Sequence, residues 1–222
     1  MTTLFVTSSG TDIGKTHVCC ALLESLPPTL RVRCVKPVVT GFDAASADTS
    51  DTGRLLQARR HPITTETIDA TSPWRYRDPV SADMAAEREA RPLPFDELVD
   101  FCRKPEGVDL NLVEGIGGVM APLGAAHTVL DWIAALETEV LLVVGSYLGS
   151  LSHTLTALDV LSRRKRRPVA IVVSQSLIEP VPIAETVASL ARFSGIVPII
   201  AMGRDASIDP GLVELVARLA RS

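Results

Sequence analysis

The residues with the clearest chemical potential lie near the N-terminus, in the stretch "FVTSSGTDIGKT" (Phe5–Thr16). A phosphate-binding loop reads G-x-x-x-x-G-K-[ST] between a strand and a helix. Gly14, Lys15 and Thr16 fill the last three places, whereas Ser9 stands at the first glycine. Backbone N–H groups and the N-terminus of the following helix would still point at an anion. We therefore predict a variant phosphate loop in which Lys15 reaches the β- and γ-phosphates and Thr16 ligates Mg²⁺.

An acid inside this loop is unusual, because a carboxylate among phosphate ligands is electrostatically costly. The acid is Asp12, and its carboxylate would face Mg²⁺ or a substrate amine instead. The alternative interpretation of the whole segment is an ordinary strand–helix turn with an incidental "GKT". The agreement of strand, loop, lysine and helix favours the phosphate loop.

Two further segments place charged residues at the ends of predicted strands. "CVKPVVTG" (Cys34–Gly41) puts Lys36 where ligands collect in open α/β sheets, and a second cation there would stabilise charge during phosphoryl transfer. "LVEGIGGVMAPL" (Leu112–Leu123) has Glu114 directly after a strand, as a Mg²⁺ ligand or a water-orienting group. Its glycines let the backbone approach a ligand closely. The alternatives are a solvated lysine and an incidental acid in a glycine-rich turn.

Three other polar segments each permit two interpretations. Asp51 begins a helical pattern, and by itself it is simply a first-turn acid. "VVGSYLGSLSHTL" (Val143–Leu155) places glycines and serines at a helix start, which could bind a carboxylate or merely be well capped. "RRKRR" (Arg163–Arg167) is a solvated helix end favoured by the macrodipole, with a nucleic-acid patch as the second interpretation.

The elements that must position these residues alternate between short apolar runs and helical patterns. Nearly all-apolar runs indicate strands covered on both faces, as in a parallel sheet with helices on either side. We predict an α/β fold of the P-loop NTPase type: one doubly wound, mostly parallel sheet flanked by helices, in a single domain over 1–222. The polar region 43–91 is predicted to be a rim insertion of loops and short helices. The predicted strands are Thr3–Val6, Val32–Val38, Asp109–Gly115, Glu139–Gly145, Val169–Ser174 and Ile196–Ala201. The predicted helices are Thr16–Leu26, Phe95–Arg103, Val129–Leu136, Leu151–Arg163, Pro182–Phe193 and Pro210–Arg221.

The overall composition is that of a globular protein without a strong charge. The chain has 222 residues, 46% of them hydrophobic, and a formal net charge of −4, so the whole molecule does not attract polyanions. None of its four cysteines forms a CxxC pair, which is typical of reduced thiols in the cytosol. No signal peptide and no apolar stretch of ~20 residues is evident, so we expect a cytoplasmic protein with no membrane span.

The order and spacing of five motifs give the chain a family resemblance. The chain resembles dethiobiotin synthetases, the ATP-dependent ring-closing enzymes of biotin synthesis, from about Thr3 to Pro198. That family's loop, "GTDTxxGKT", also lacks a glycine at the first P-loop position, which accounts for Ser9. The other family motifs are "KPxxSG", "SDxxxL", "VEGAGGxxxPL" and "VGxxLGxxNH". Their counterparts here are "KPVVTG", "SDTGRLL", "VEGIGGVMAPL" and "VGSYLGSLSH".

The resemblance implies a role for particular residues. Lys15 and Lys36 would be catalytic, and Thr16, Asp51 and Glu114 would hold Mg²⁺. The residues implied for ATP and its phosphates are Asp12, Ile13, Gly14, Lys15, Thr16, Glu114, Gly117 and Gln175. Those implied for the second substrate are Thr11, Lys36, Thr40, Ser81, Gly117, Gly118, Gly149, Ser150 and Ser152.

Several positions depart from the family pattern, and Thr40 stands at the serine of "KPxxSG". Gln175 stands where the family has an asparagine that meets adenine, and Ser152 also replaces an asparagine. In the rim insertion, where the family has "PxSPHxxA", this chain has "PVSADMAA", so that Ala82 replaces a proline and Asp83 a histidine. These changes bear on nucleotide selectivity and on contacts with the second substrate.

The resemblance also implies substrates and an assembly. The substrates would be ATP, CO₂ and 7,8-diaminononanoate, joined through a carbamate and a carbamic–phosphoric anhydride, and the enzyme would be a homodimer with substrate sites at its interface.

Two alternatives remain. A cobyrinate-type amide synthase would need a glutaminase domain, for which 222 residues leave no obvious room. A partition-type ATPase would bind DNA through Arg163–Arg167, but such ATPases have a second lysine early in the loop, where Ser9 or Gly10 stands here.

Overall fold

A six-stranded parallel sheet forms the centre of the molecule. The computed structural model describes residues 2–103, 107–205 and 207–221. The strands are β1 Thr2–Ser8, β2 Val32–Val35, β3 Val38–Val39, β4 Trp74–Arg75, β5 Leu110–Glu114, β6 Glu139–Gly145, β7 Ala170–Ser174 and β8 Ile199–Met202. The central sheet has the order β2-β5-β1-β6-β7-β8, and β3 and β4 form a separate parallel pair.

Helices connect the strands and cover both faces of this sheet. They are α1 Lys15–Ser25, α2 Asp51–Ala58, α3 Thr65–Thr71, α4 Ala82–Arg88, α5 Phe95–Cys102, α6 Val129–Leu136, α7 Ser150–Arg163, α8 Ile183–Ala191 and α9 Pro210–Arg221, and a short 3₁₀ turn spans Ala44–Ser46. Among the described residues, none of the helices is both long and apolar enough to cross a lipid bilayer.

Two hydrophobic clusters, one on each face of the sheet, hold the layers together. Alternate residues of β1 divide between them: Phe5 belongs to the cluster under α5 and α6, whereas Leu4 and Val6 belong to the cluster under α1 and α9. The ring of Phe5 meets Trp132 edge-on at 4.7 Å between centroids. Because β1 is covered on both faces, its polar chemistry is confined to its carboxyl end. The doubly wound prediction is therefore confirmed.

The predicted strand Val32–Val38 is wrong in its second half. Strand β2 ends at Val35, and the chain then leaves the central sheet to pair Val38–Val39 with β4. Pro37 lies at the break, where it has no N–H to donate and its carbonyl accepts a hydrogen bond from the Trp74 N–H. The departure leaves Lys36 at the edge of the sheet. Strand β4 lies in the polar region 43–91, whose sequence carries little strand signal; the predicted short helices of that region are α2, α3 and α4.

Candidate active site

A cleft of about 1060 Å³ opens at the carboxyl ends of the parallel strands. Most of its lining comes from turns that follow strands, namely the loops after β1, β2, β5, β7 and β8, and α2 contributes Asp51 and Arg54. Most of the predicted site residues line it, namely Thr11, Asp12, Ile13, Gly14, Lys15, Thr16, Lys36, Thr40, Asp51, Glu114, Gly117 and Gln175.

The loop between β1 and α1 wraps around the ammonium group of Lys15. Lys15 Nζ donates to the carbonyl oxygen of Gly117 at 2.9 Å and to Ser8 Oγ at 3.0 Å. Gly14, which precedes the helix, has φ 97°, and a Cβ there would lie 2.5 Å from Ser174 Oγ. Glycine is therefore required at this position for both conformation and space. Asp12 also lies in the left-handed region, at φ 56°, and is exposed.

The glycine-rich turn after β5 lies directly against this loop. A Cβ on Gly118 would lie 3.0 Å from the backbone nitrogen of Gly10 and 3.2 Å from its Cα. The N–H of Val119 donates to the carbonyl oxygen of Ser8 at 2.9 Å, which fixes the approach. Gly118 thus supports the loop from behind and does not line the cleft.

Four charged or hydroxyl side chains converge beside Lys15. Oε1 of Glu114 accepts hydrogen bonds from Thr16 Oγ1 at 2.6 Å and from Lys36 Nζ at 2.7 Å. Lys36 Nζ also forms a short ion pair with Oδ2 of Asp51. Glu114 is fully buried, and its second oxygen, Oε2, has no hydrogen-bond partner. The carboxylates of Glu114 and Asp51 therefore share one cation, the ammonium of Lys36.

Burial and charge set the protonation of the two lysines in opposite directions. Burial, with help from the nearby Lys36, lowers the pKa of Lys15 to about 8. Burial alone would also lower the pKa of Lys36, but Glu114 and Asp51 together raise it above its usual value. Burial opposes ionisation of Asp51, yet Lys36 keeps the pKa of that carboxyl below its usual value. The two carboxylates thus favour the protonated form of Lys36, whereas the pKa of Lys15 lies at about 8.

The cluster fits a divalent cation that prefers oxygen ligands. Thr16, Asp51 and Glu114 offer a hydroxyl and two carboxylates, and Mg²⁺ is usually held by one or two carboxylates, phosphates and water. Oε2 of Glu114 is a buried acceptor that receives no hydrogen bond. The carboxylates of Glu114 and Asp51 already hold one cation, the ammonium of Lys36. The described residues contain no cluster of three His, Cys, Asp or Glu side chains that could hold a metal by themselves.

The far end of the cleft is built by the loops after β7 and β8. Gln175 directly follows β7, and its carboxamide is engaged at both ends: Nε2 donates to Glu179 Oε1 at 2.8 Å, and Oε1 accepts from the Arg204 N–H at 3.3 Å. A second, smaller cavity of about 430 Å³ adjoins this cleft and shares His17 and Arg54 with it.

Five residues predicted for substrate binding do not line the cleft: Ser81, Gly118, Gly149, Ser150 and Ser152. Ser81 precedes α4, and its hydroxyl is buried without a hydrogen-bond partner. Gly149 precedes α7 at φ 98°, Ser150 is buried behind it, and Ser152 is exposed. The resemblance places this region at a subunit interface, so these assignments stay predictions.

Several residues of the site, most of them lining the cleft, were not predicted from the sequence. Ser8 holds Lys15 but was hidden at the end of an apolar strand, where its polar type was the only signal. Tyr147 and His153 flank the start of α7, and the Tyr147 hydroxyl lies 2.8 Å from His153 Nδ1. The other unpredicted lining residues include Arg54, Ser174, Ser176, Arg204 and Asp205.

The basic run Arg163–Arg167 lies at the end of α7 and does not line the cleft. Arg163 pairs with Asp159 at 2.8 Å, one turn earlier on the same helix. Arg164 pairs with Asp131 of α6 at 2.9 Å. These contacts agree with the interpretation of the run as a solvated helix end.

Comparison with known proteins identifies the family. A family model described as an AAA domain matches residues 2–203. The ATP-dependent dethiobiotin synthetase of Acidiphilium cryptum is 44% identical over 202 residues, which cover 89% of this chain and 91% of that protein. The chain belongs to the dethiobiotin synthetase family. The corresponding enzyme of Caulobacter vibrioides is 45% identical over 221 residues, covering 97% of this chain and 99% of that protein. The family resemblance of the motifs is confirmed, and with it the class of ATP-dependent ligase of biotin biosynthesis.

A solved structure supports the fold independently. A ParA family ATPase from Chlorobium tepidum superimposes with a TM-score of 0.50 at 12% identity, covering 98% of this chain and 96% of that one. At this level of identity the likeness concerns the fold alone. It confirms the doubly wound α/β fold, while the high identity to dethiobiotin synthetases supports the synthetase over the partition-type alternative.

Proposed function

We propose that this chain closes the ureido ring of dethiobiotin from 7,8-diaminononanoate, CO₂ and ATP. The observation that carries the proposal is the arrangement around Glu114, which meets Thr16 and Lys36 within one cleft beside Lys15. The chain's membership of the dethiobiotin synthetase family supplies the substrates. Phosphoryl transfer requires positioning and charge neutralisation more than a protein nucleophile, and the cleft offers cations and oxygen ligands in that role.

The proposed reaction has three bond-forming steps. One amine of the substrate attacks CO₂ and loses a proton to give a carbamate. A carbamate oxygen then attacks the γ-phosphorus, the bond to the β-phosphate oxygen breaks, and ADP leaves. The second amine attacks the carbonyl carbon of the resulting anhydride, and phosphate leaves with the electron pair of the C–O bond. The protons released by the amines go to phosphate oxygens or to water.

Lys15 and Lys36 neutralise the charge that moves during these steps. In the free protein Lys15 donates to the Gly117 carbonyl and the Ser8 hydroxyl, so its ammonium is already aimed at the turn where the β- and γ-phosphates would sit. Lys36, held by Glu114 and Asp51, would turn to the γ-phosphate and the carbamate. A preorganised donor of this kind contributes roughly 3–4 kcal/mol to the transition state.

The Mg²⁺ that accompanies ATP would be held by Thr16, Asp51 and Glu114. When bound, Mg²⁺ neutralises β- and γ-phosphate oxygens as a Lewis acid. The chain's own contribution is to place two carboxylates and a hydroxyl at the edge of the sheet, next to the first turn of α1.

The second substrate and the assembly form the rest of the proposal. We assign Thr11, Thr40, Gly117 and Ser81 to the second substrate, with Gly149, Ser150 and Ser152 at the interface of a homodimer, whereas Gly118 supports the phosphate loop from behind. Exposed apolar side chains at the start of α7 support such an interface: Leu148 is 87% exposed and Leu151 is 38% exposed. We further propose a single domain over 1–222 with a rim insertion at 43–91, a cytoplasmic location and no nucleic-acid partner.

Product analysis tests the function directly. The protein is incubated with diaminononanoate, ¹³C-bicarbonate and MgATP, and the products are examined by mass spectrometry. We expect dethiobiotin carrying one ¹³C in the ureido carbonyl, together with ADP and phosphate, and no product with Lys15→Ala. ATP turnover that needs neither substrate and is stimulated by DNA would instead favour the partition-type ATPase.

A further inference from the structure

The carboxamide of Gln175 has two neighbours of opposite and invariable hydrogen-bonding character. Its Nε2 meets Oε1 of Glu179 at 2.8 Å, and its Oε1 meets the backbone N–H of Arg204 at 3.3 Å. An ionised carboxylate only accepts hydrogen bonds, and a backbone N–H only donates. An amide side chain has two nearly isosteric orientations, related by exchange of its oxygen and nitrogen. Here only one orientation satisfies both neighbours.

Glu179 is itself held in place from the other side. Its Oε2 accepts a hydrogen bond of 2.8 Å from the Ser146 hydroxyl. That hydroxyl in turn accepts from the Ser176 N–H at 3.0 Å, and Ser176 Oγ accepts from the Ser146 N–H at 3.0 Å. Ser146 is buried, and it follows the last residue of β6. The reciprocal serine pair therefore fixes the carboxylate relative to the sheet, and the carboxylate fixes the amide.

The fixed amide still has capacity for a ligand. A carboxamide carries two N–H donors and an oxygen with two lone pairs, and Glu179 and Arg204 use one of each. One donor and one acceptor remain, and Gln175 lines the cleft. A side chain whose donor and acceptor are fixed in position fits a ligand edge that offers the matching acceptor and donor. It does not fit an edge in which that donor and acceptor are exchanged.

Purine nucleotides differ in this order at the six-membered ring. Adenine presents an amino donor at position 6 beside the acceptor N1, whereas hypoxanthine presents an oxo acceptor beside a donor at N1. An amide that could flip would serve both bases equally well, and an amide that is locked serves one of them.

We propose that Glu179 is a positioning residue that locks the Gln175 amide, so that the site selects 6-amino purine nucleotides over 6-oxo ones. The inference rests on the proposed function together with the family resemblance, which implies that the base of ATP lies beside Gln175. Selectivity then resides in the pair Gln175 and Glu179, of which Gln175 lines the cleft and Glu179 does not. The substitution Glu179→Gln keeps the size of the side chain but supplies a group that both donates and accepts, so that only the longer contact with the Arg204 N–H, at 3.3 Å, still opposes a flip of the Gln175 amide.

The test compares ADP with IDP, which differ only at position 6 of the purine. Dissociation constants are measured by calorimetry for the full chain and for Glu179→Gln, Glu179→Asp and Gln175→Ala. We expect the native protein to prefer ADP, and Glu179→Gln to lose roughly two- to tenfold of that preference, the range of one neutral hydrogen bond. Glu179→Asp keeps an accept-only group and should retain more of the preference than Glu179→Gln. Gln175→Ala removes the amide itself and should lose at least as much as Glu179→Gln, and the double variant should lose no more than Gln175→Ala alone.

Two readouts separate this role from a merely structural one. Affinity for pyrophosphate should be unchanged in all variants, because the phosphate loop lies elsewhere in the cleft. Glu185→Gln, an exposed acid on α8, is the matched control and should leave both constants as they are. A native protein that binds ADP and IDP equally, or a Glu179→Gln variant with the native preference, overturns the inference. Neither result bears on whether the native protein makes dethiobiotin, which the product analysis decides separately.

Discussion

The ammonium of Lys36 lies 2.7 Å from Oε1 of Glu114, and the two side chains are 8% and 0% exposed. Such a pair is costly to form, because both charges leave water, and it is far more costly to break on one side only. The chain keeps this pair at the one edge of the sheet where phosphates and a metal ion would bind. We therefore expect Glu114 to exchange its cation. It holds the ammonium of Lys36 in the free protein, and it would hold Mg²⁺ when the nucleotide is bound.

Lys36→Met should destabilise the free protein by about 3–5 kcal/mol, because it leaves the buried carboxylate of Glu114 without its cation. Urea unfolding at pH 7 measures the loss. Millimolar Mg²⁺ without nucleotide should restore part of the stability of this variant, since the metal supplies the missing charge, and it should do little for the native protein.

The matched control is the double variant Lys36→Met/Glu114→Gln, which removes the orphaned charge as well. Its stability should lie well above that of Lys36→Met alone, and Mg²⁺ should no longer stabilise it. If the single variant is as stable as the native protein, or if Mg²⁺ stabilises the double variant equally, the exchange of cations on Glu114 is wrong.

Nucleotide binding should take up a proton near pH 8 through Lys15. Burial lowers the pKa of Lys15 to about 8 in the free protein, so the side chain is partly neutral there. Phosphate oxygens favour the ammonium form and raise its pKa, so binding recruits the missing fraction of a proton. Lys36, whose pKa is raised, stays protonated and adds nothing. ADP affinity should therefore fall as pH rises above 8.

Calorimetry of ADP binding in buffers of different ionisation enthalpy measures this uptake. It should be small at pH 7, grow towards pH 8.5, and vanish in Lys15→Met at both values. An uptake in Lys15→Met as large as in the native protein would assign the proton to another group.

The sequence predicted the parts of this site that local pattern controls. The phosphate loop, Lys36 and Glu114 could be found because each follows an apolar run, and parallel strands bring their carboxyl ends to one edge. The break of the second strand after Val35 could not be placed, because Val38 and Val39 continue the apolar pattern past Pro37. Their partner, Trp74–Arg75, lies far along the chain in a polar segment.

Residues that act through long-range hydrogen bonds escaped prediction. Ser8 resembles any strand residue until the Lys15 ammonium is found beside it. Glu179 sits in a loop, and its importance comes from Ser146, 33 positions earlier in the chain. A single sequence carries no periodic signal for such pairs, because they depend on which strands are neighbours.

The basic run should be dispensable for catalysis. Arg163 pairs only with the exposed Asp159 among the contacts described for it, so Arg163→Ala/Arg167→Ala should leave turnover of diaminononanoate unchanged, and DNA should not stimulate ATP hydrolysis. Arg164→Ala is the comparison variant: it removes the contact with Asp131, and we expect a loss of about 0.2–1 kcal/mol in unfolding free energy with normal turnover. Hydrolysis that DNA stimulates in the native protein and not in the double variant would contradict this expectation.

Two glycines near one another in sequence, Gly118 and Gly124, should differ in their response to substitution by alanine. A Cβ at position 118 would lie 3.0 Å from the Gly10 nitrogen and 3.2 Å from the backbone carbon of Ser9, whereas a Cβ at position 124 would meet nothing within 4 Å. Gly118→Ala should therefore push the phosphate loop from behind, weaken ADP binding and lower the unfolding free energy by roughly 1–3 kcal/mol. Gly124→Ala should leave ADP affinity as it is. Equal ADP affinities for the two variants would show that the loop does not depend on its contact with the glycine-rich turn.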